Sequence, residues 1–155
     1  MSGFRPGVRL GIDVGTARVG VARCDRDGLL ATPVETVPRT SGDPVARVAA
    51  IAGELDAVEI VVGLPISLAG RETASTADAR DFARAVAETS GLPVRLLDER
   101  LTTVTANDAL RRSGRSQRGS RSIVDQVAAV VLLQQALDVA KRTGLPAGHP
   151  GLHEE

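Results

Sequence analysis

The chain has 155 residues, a 43% hydrophobic fraction, and 19 acidic against 19 basic side chains. That length suits one domain with a real core and is marginal for two. Zero net charge excludes a globally basic nucleic-acid binder, so any basic footprint must be local. With an aromatic fraction of 1%, the core has to be built from Val, Leu, Ile and Ala. No stretch reaches the ~18 uninterrupted apolar residues of a membrane span, and the N-terminus lacks an apolar signal core. A single cysteine, Cys24, excludes an internal disulfide framework. The expectation is a soluble cytoplasmic protein with no membrane association.

Arg9 to Arg23 reads as a β-hairpin. Leu10, Ile12 and Val14 alternate with Gly11, Asp13 and Gly15, which is the period of a strand with two different faces. Gly15 to Arg18 leaves room only for a tight turn before a second strand at Val19 and Val21. Asp25 to Gly28 supplies another turn, and Leu29 to Val37 reads as a third, antiparallel strand. Asp43 before Pro44 signals a helix start, with Val45, Val48, Ala49, Ala52 and Leu55 on one face. Val58 to Leu64 is a short apolar run suited to a strand covered on both sides. Ser67 to Ser75 is a polar loop, followed by a helix with Ala79, Phe82, Ala83 and Val86 as its buried stripe. Gly91-Leu-Pro closes that helix, and Pro93 to Leu97 is a further strand.

Beyond it, Thr102 or Thr103 caps a short helix to about Arg112. Ser113 to Ser120, rich in Gly, Ser and Arg, reads as a mobile loop. Ser122 opens a last helix to about Arg142, apolar on most sides and therefore covered by the sheet and by a helix or partner chain. From Gly144 a Gly/Pro-containing tail follows, in which His149 and His153 are expected to be solvated. The reading is one domain over 1–143 and a flexible tail over 144–155. Its fold class is α/β: a mixed five-stranded sheet, three antiparallel strands then two parallel, with helices on both faces.

Three carboxylates could meet in this sheet. Asp13 sits within an apolar strand with glycines on either side along its own face, and unpaired burial there would cost several kcal/mol. Pairing with an arginine such as Arg18 is the alternative to a metal or phosphate role. Glu99 follows the last strand, although Asp98, Glu99 and Arg100 could form a surface ion-pair cluster. Asp125 shares a helical face with Ala129, Leu132 and Ala136, but its spacing from Ser122 is also that of a capping box. Carboxylates around one space need a cation, and oxygen-only ligation selects Mg²⁺ or Mn²⁺. Of the basic residues only Lys141 is lysine, and Arg111, Arg112, Arg115, Arg118 and Arg121 cluster just before the last helix.

Four blocks in order resemble the bacterial YqgF-type family of RNase H-like proteins, described as nucleases of pre-16S rRNA and as Holliday-junction-resolvase-like. Gly11-Ile-Asp-Val-Gly with Arg18-Val-Gly-Val-Ala is similar to its opening hairpin, and Val61-Val-Gly-Leu-Pro with Gly70 to its middle strand and loop. Asp98-Glu-Arg-Leu-Thr-Thr is similar to its third block, and Asp125 before Ala128, Ala129 and Leu132 to its last. The resemblance implies an RNase H-like fold and a metal-dependent acidic site of Asp13, Glu99 and Asp125. It further implies a nucleic-acid partner, pre-rRNA or branched DNA, met by Arg18, Arg100, Arg115, Arg118 and Arg121 in a monomer or homodimer. The all-arginine loop departs from the family's lysine-containing one, which alters hydrogen-bond geometry more than charge. Two rival readings are a nucleotide-binding protein, since Asp-x-Gly-Thr on a hairpin also resembles an ATP phosphate loop, and a non-catalytic RNA-binding ribosome-assembly factor. The near-absence of aromatic stacking residues argues against ordinary single-strand binding.

Overall fold

The computed structural model of the protein describes residues 5–67, 69–98 and 117–143; within 117–125 only the helical backbone is described. The strands are β1 (Arg9–Val14), β2 (Arg18–Cys24), β3 (Ala31–Pro38), β4 (Glu59–Leu64) and β5 (Val94–Asp98). The helices are α1 (Pro44–Glu54), α2 (Ala74–Ser90) and α3 (Gln117–Thr143). Spatial order in the sheet is β3-β2-β1-β4-β5. β2 runs antiparallel to both β1 and β3, whereas β4 is parallel to β1 and β5 to β4. The expected mixed sheet is therefore present, with helices on both faces.

Alternation along β1 divides the core. Leu10, Ile12 and Val14 join Val19, Val21, Ile60, Val62 and Val94 on the face covered by α1 and α2, through Val48, Ile51, Phe82 and Val86. Ala22, Cys24, Val61 and Leu97 face α3, which buries Ala129, Leu132, Leu133, Ala136 and Leu137. Ala129, Leu132 and Ala136 are the stripe the sequence offered, and Leu133 and Leu137 widen it. Val127, Ala128, Val130, Val131, Val139 and Ala140 are half-buried.

The helix boundaries follow local chemistry. Asp43 caps α1 by accepting the Ala46 N–H at 3.2 Å, with Pro44 at the first helical position. α2 starts from a reciprocal cap between Thr73 and Thr76. The fully buried Thr76 hydroxyl also donates to the Pro65 carbonyl, tying the helix start to the end of β4. Gly91, left-handed at φ 72°, closes it.

Two sequence expectations need correction. β3 begins at Ala31, not Leu29, because the Asp25 carboxylate accepts the N–H groups of Asp27, Leu29 and Leu30. That turn holds Leu29 and Leu30 out of the ladder, and both are exposed. The last helix begins at Gln117 instead of Ser122. Residues 117–120 are thus helical and not part of a loop, and Ser122 is an interior residue rather than a cap. The expected helix over 102–112, the loop residues 113–116 and the tail over 144–155 lie outside the described residues.

α3 approaches the sheet closely at Gly11. A Cβ there would stand 2.7 Å from Leu133 Cβ and 2.9 Å from the Ala129 carbonyl oxygen, so α3 rests on β1 at the point that lacks a side chain. At the amino end of β1 the buried Arg9 pairs with Glu59 at 3.3 Å and donates to the carbonyls of Gly7 and Arg5. These hydrogen bonds offset part of the desolvation of both charges.

Gly11→Ala should destabilise the protein by about 1–3 kcal/mol, since backbone must move to admit the methyl group. Gly53→Ala, inside α1 with nothing within 4 Å of its added Cβ, should be neutral or gain up to about 1 kcal/mol. Urea denaturation of the two variants checks the contrast, and equal stabilities would contradict the close approach. A second expectation concerns the Arg47 fork on Glu35 (2.9 and 2.8 Å), which holds that carboxyl below its usual range and pins α1 to β3. A depressed folded pKa contributes stability above the ordinary carboxylate range and loses it as pH falls through the folded value. Glu35→Gln should therefore cost at most about 1 kcal/mol at neutral pH, and its melting temperature should converge on wild type in acid.

Candidate functional site

Asp13 is half-buried near the carboxyl end of β1, on the α3 face, two residues beyond Gly11. Its antiparallel partner is Gly20, whose own partner on β3 is Thr36. The three form one row across the sheet, and the middle member has no side chain. Above the far end of the row, the Gln126 amide donates to the Thr36 hydroxyl at 2.9 Å.

α3 runs antiparallel to β1. Leu137 and Ala140 line a small cavity with Arg9 and Glu59, while Ala129 and Leu133 lie over Gly11. The amino-terminal half of α3 consequently passes over the row that contains Asp13. Asp125 immediately precedes Gln126 and stands one turn before Ala129, so its backbone lies at that level. Because α3 starts at Gln117, Asp125 is in the third turn, beyond reach of the orphan N–H groups of the first. Helix capping therefore does not account for it.

The parallel strands bring further residues to the same edge. Leu64 at the end of β4 is paired with Asp98 at the end of β5, and Ile12 of β1 with Val62. Leu96 belongs to the α1/α2 core and Leu97 to the α3 core. By alternation Asp98 belongs to the α1/α2 side, away from the face of Asp13. Glu99, Arg100 and Arg115 lie outside the described residues. Arg118 and Arg121 are on α3, not in a loop, and Arg18 is half-buried at the start of β2, where its carbonyl accepts the Gly15 N–H at 2.8 Å. Among the described residues no three His, Cys, Asp or Glu side chains gather closely enough to hold a metal ion. Glu99 and the Asp125 side chain are outside that set.

Sequence reading missed a clamp on the turn that follows Asp13. Arg39, just past β3, donates to the Gly15 carbonyl at 2.8 Å and grips both Asp78 oxygens at 2.6 and 2.8 Å. Its guanidinium lies 5.6 Å from the Phe82 ring centre. The fork holds the Asp78 carboxyl below its ordinary range. Thr16, Arg39, Thr40, Ser75 and Asp78 line a cleft of about 440 Å³ beside the hairpin turn. No local pattern announces this cluster, because its members are far apart in the chain. Gln126, by contrast, was visible as a polar interruption of an apolar helix.

Cys24 is remote from the row. It is buried at the far end of β2, accepts the Arg9 N–H at 3.3 Å, and burial pushes its thiol pKa up, which makes it a poor ligand or nucleophile. No helix among the described residues is long and apolar enough to cross a membrane.

Known proteins resemble this chain over nearly its whole length. A relative from Leifsonia xyli subsp. xyli is 57% identical over 149 residues, covering 95% of this chain and 96% of its own. One from Clavibacter michiganensis subsp. michiganensis is 55% identical over 147 residues, covering 94% of this chain and 91% of its own. Both are named "Putative pre-16S rRNA nuclease". Among solved structures, Thermus thermophilus RuvC in complex with a Holliday junction substrate superposes with a TM-score of 0.57 at 20% identity, over 91% of this chain and 99% of that one. That likeness shows the fold, which is RNase H-like. A family model described as "RuvX: Holliday junction resolvase" matches residues 7–139. With that match and relatives above half identity over nearly its whole length, the chain belongs to the RuvX family.

Proposed function

We propose that this protein is a divalent-metal-dependent nuclease that hydrolyses phosphodiester bonds in maturation of the 5′ end of pre-16S rRNA, with residues 1–143 as its nuclease domain. The single observation that carries the reading is the position of Asp13. It is a half-buried carboxylate on a strand of glycine and apolar residues, at the level where the helix bearing Asp125 crosses the sheet. The names of the relatives favour pre-16S rRNA as substrate. Cleavage of branched DNA is the second reading, favoured by the family description.

The donor chemistry fits a hard cation. Asp13, Glu99 and Asp125 offer carboxylate oxygen rather than sulfur or imidazole, and the strand partner of Asp13 is Gly20, which brings no side chain of its own. Asp13, Glu99 and Asp125 would hold Mg²⁺ or Mn²⁺, with Asp98 set aside because alternation along β5 puts it on the α1/α2 side. The ion would supply charge stabilisation at the phosphate and a water of lowered pKa.

The remaining work falls to the chain's own residues. A phosphate backbone entering the crevice is repelled by the carboxylates, and the arginines from 111 to 121 offset this by gripping phosphate oxygens in pairs. Sequence discrimination by base stacking has little basis, because the chain has no Trp or Tyr and, of its two Phe, Phe4 and Phe82, the latter is buried in the α1/α2 core. Recognition through backbone and shape follows.

Cleavage of a pre-16S 5′ extension and of a four-way DNA junction, each with Mg²⁺ and Mn²⁺, tests the assignment. Asp13→Asn should lose at least ~100-fold in rate while keeping its fold, because removal of one carboxylate relieves repulsion in the metal-free protein. Asp125→Asn should lose activity equally with little change in melting temperature; an active, destabilised variant would remove Asp125 from the site. Replacing Arg115, Arg118 and Arg121 with alanine should weaken binding on all sequences and flatten the log–log salt dependence on duplexes by roughly two to three units. An unchanged slope would mean that the substrate enters from another side.

A further inference from the structure

We infer that Thr36 and Gln126 form a positioning pair for the catalytic crevice, fixing where the Asp125 turn of α3 sits relative to Asp13. The inference rests on the nuclease reading above and adds two residues that touch neither metal nor substrate.

Three observations carry it. First, Thr36, Gly20 and Asp13 are consecutive partners across β3, β2 and β1. Strands lie about 4.8 Å apart, so Thr36 stands two strand spacings, roughly 10 Å, from Asp13 on the same face. Second, the Gln126 amide reaches that hydroxyl at 2.9 Å across 90 residues of sequence, in a partly buried setting. Third, Gln126 adjoins Asp125 in a helix whose backbone is rigid at that scale, so holding one holds the other. The Gly11 contact with Ala129 and Leu133 sets the height of α3 above the sheet, and further along the helix Gln134 ties it to β3 by accepting the Ala31 N–H at 3.0 Å. The Thr36–Gln126 bond is a second tie to β3, about two turns nearer the amino end, and resists roll of the helix about its axis at the level of Asp125. Roll about this axis moves the helix residues nearest Asp13 sideways.

Gln126 interrupts an apolar helix, and an apolar residue there could pack at the same position without the directional bond. Thr36 lies on an edge strand of the sheet, where a valine would serve strand formation as well. Displacement of a reacting group by about 1 Å can cost ~100-fold in rate, whereas loss of one partly buried hydrogen bond costs little in stability.

Thr36→Val and Thr36→Ser decide the matter, assayed by multiple-turnover cleavage of a 5′-labelled pre-16S extension RNA with Mn²⁺, and separately by Mn²⁺ binding followed with electron paramagnetic resonance. Thr36→Val should lower kcat by roughly 10- to 100-fold with KM unchanged, and weaken Mn²⁺ binding by about tenfold. Thr36→Ser, which keeps the hydroxyl, should retain wild-type behaviour. Gln126→Leu should match Thr36→Val, and the double variant should be no worse than either alone. Wild-type kcat and Mn²⁺ affinity in Thr36→Val would overturn the inference, as would a loss confined to KM or additive effects in the double variant. Failure of the underlying reading has its own signature: Asp125→Asn and Asp13→Asn would then cleave and bind Mn²⁺ like wild type.

Discussion

The approach of α3 to β1 at Gly11 is the constraint from which the geometry of the site follows. A helix lying over a sheet is normally held off by the side chains between them, and here the spacing is set where one of those side chains is missing. Leu133 and the Ala129 carbonyl occupy the space a Cβ would take. Since α3 runs antiparallel to β1, contact at Gly11 brings the turn before Ala129 over Asp13. The close approach involves no charged group, but its consequence is electrostatic: a half-buried carboxylate on the sheet and the backbone of an acidic residue of the helix are brought to one level.

The two faces of the sheet are built for different purposes. Beneath α1 and α2 the strands contribute an aliphatic layer of Leu10, Ile12, Val19, Val21, Ile60 and Val62. The α3 face is polar at both ends. At the amino end of β1 the Arg9–Glu59 pair is closed off, with the arginine also bonded to two carbonyls. Toward the carboxyl end Asp13 opens onto Gly20, Thr36 and Gln126. The first pair is enclosed between strands and carbonyls, whereas Asp13 is half-buried near the carboxyl end of its strand.

Parallel pairing brings three strand ends to one edge. β1, β4 and β5 all run toward the same edge, so the ends of the three strands lie together although they are distant in sequence. The hairpin turn at that edge is braced from outside by Arg39, which links Gly15 to Asp78 of α2 and stacks on Phe82. Both layers of helices therefore act on the rim: α2 steadies the turn after Asp13, and α3 passes over the strand itself.

Much of this was legible in the residues. Period-two alternation in β1, the Asp43-Pro44 start of α1, the apolar run of β4 and the Ala129, Leu132, Ala136 stripe of α3 each report a local preference or a burial pattern, and both are written residue by residue. Asp13 stood out for the same reason, as a charge where the pattern demands an apolar or small residue. What depended on tertiary structure is of another kind. Leu29 and Leu30 have the composition of a strand but are held in a turn by the Asp25 carboxylate. The start of α3 at Gln117 lies within a Gly/Ser/Arg stretch that by composition reads as loop. The Arg39 clamp and the Thr36–Gln126 bond join residues 24 to 90 positions apart. Sequence periodicity decides which face a side chain takes, because that is a property of one element. Which side chains meet across two elements depends on register, crossing level and approach distance, and those exist only once the sheet and α3 have packed.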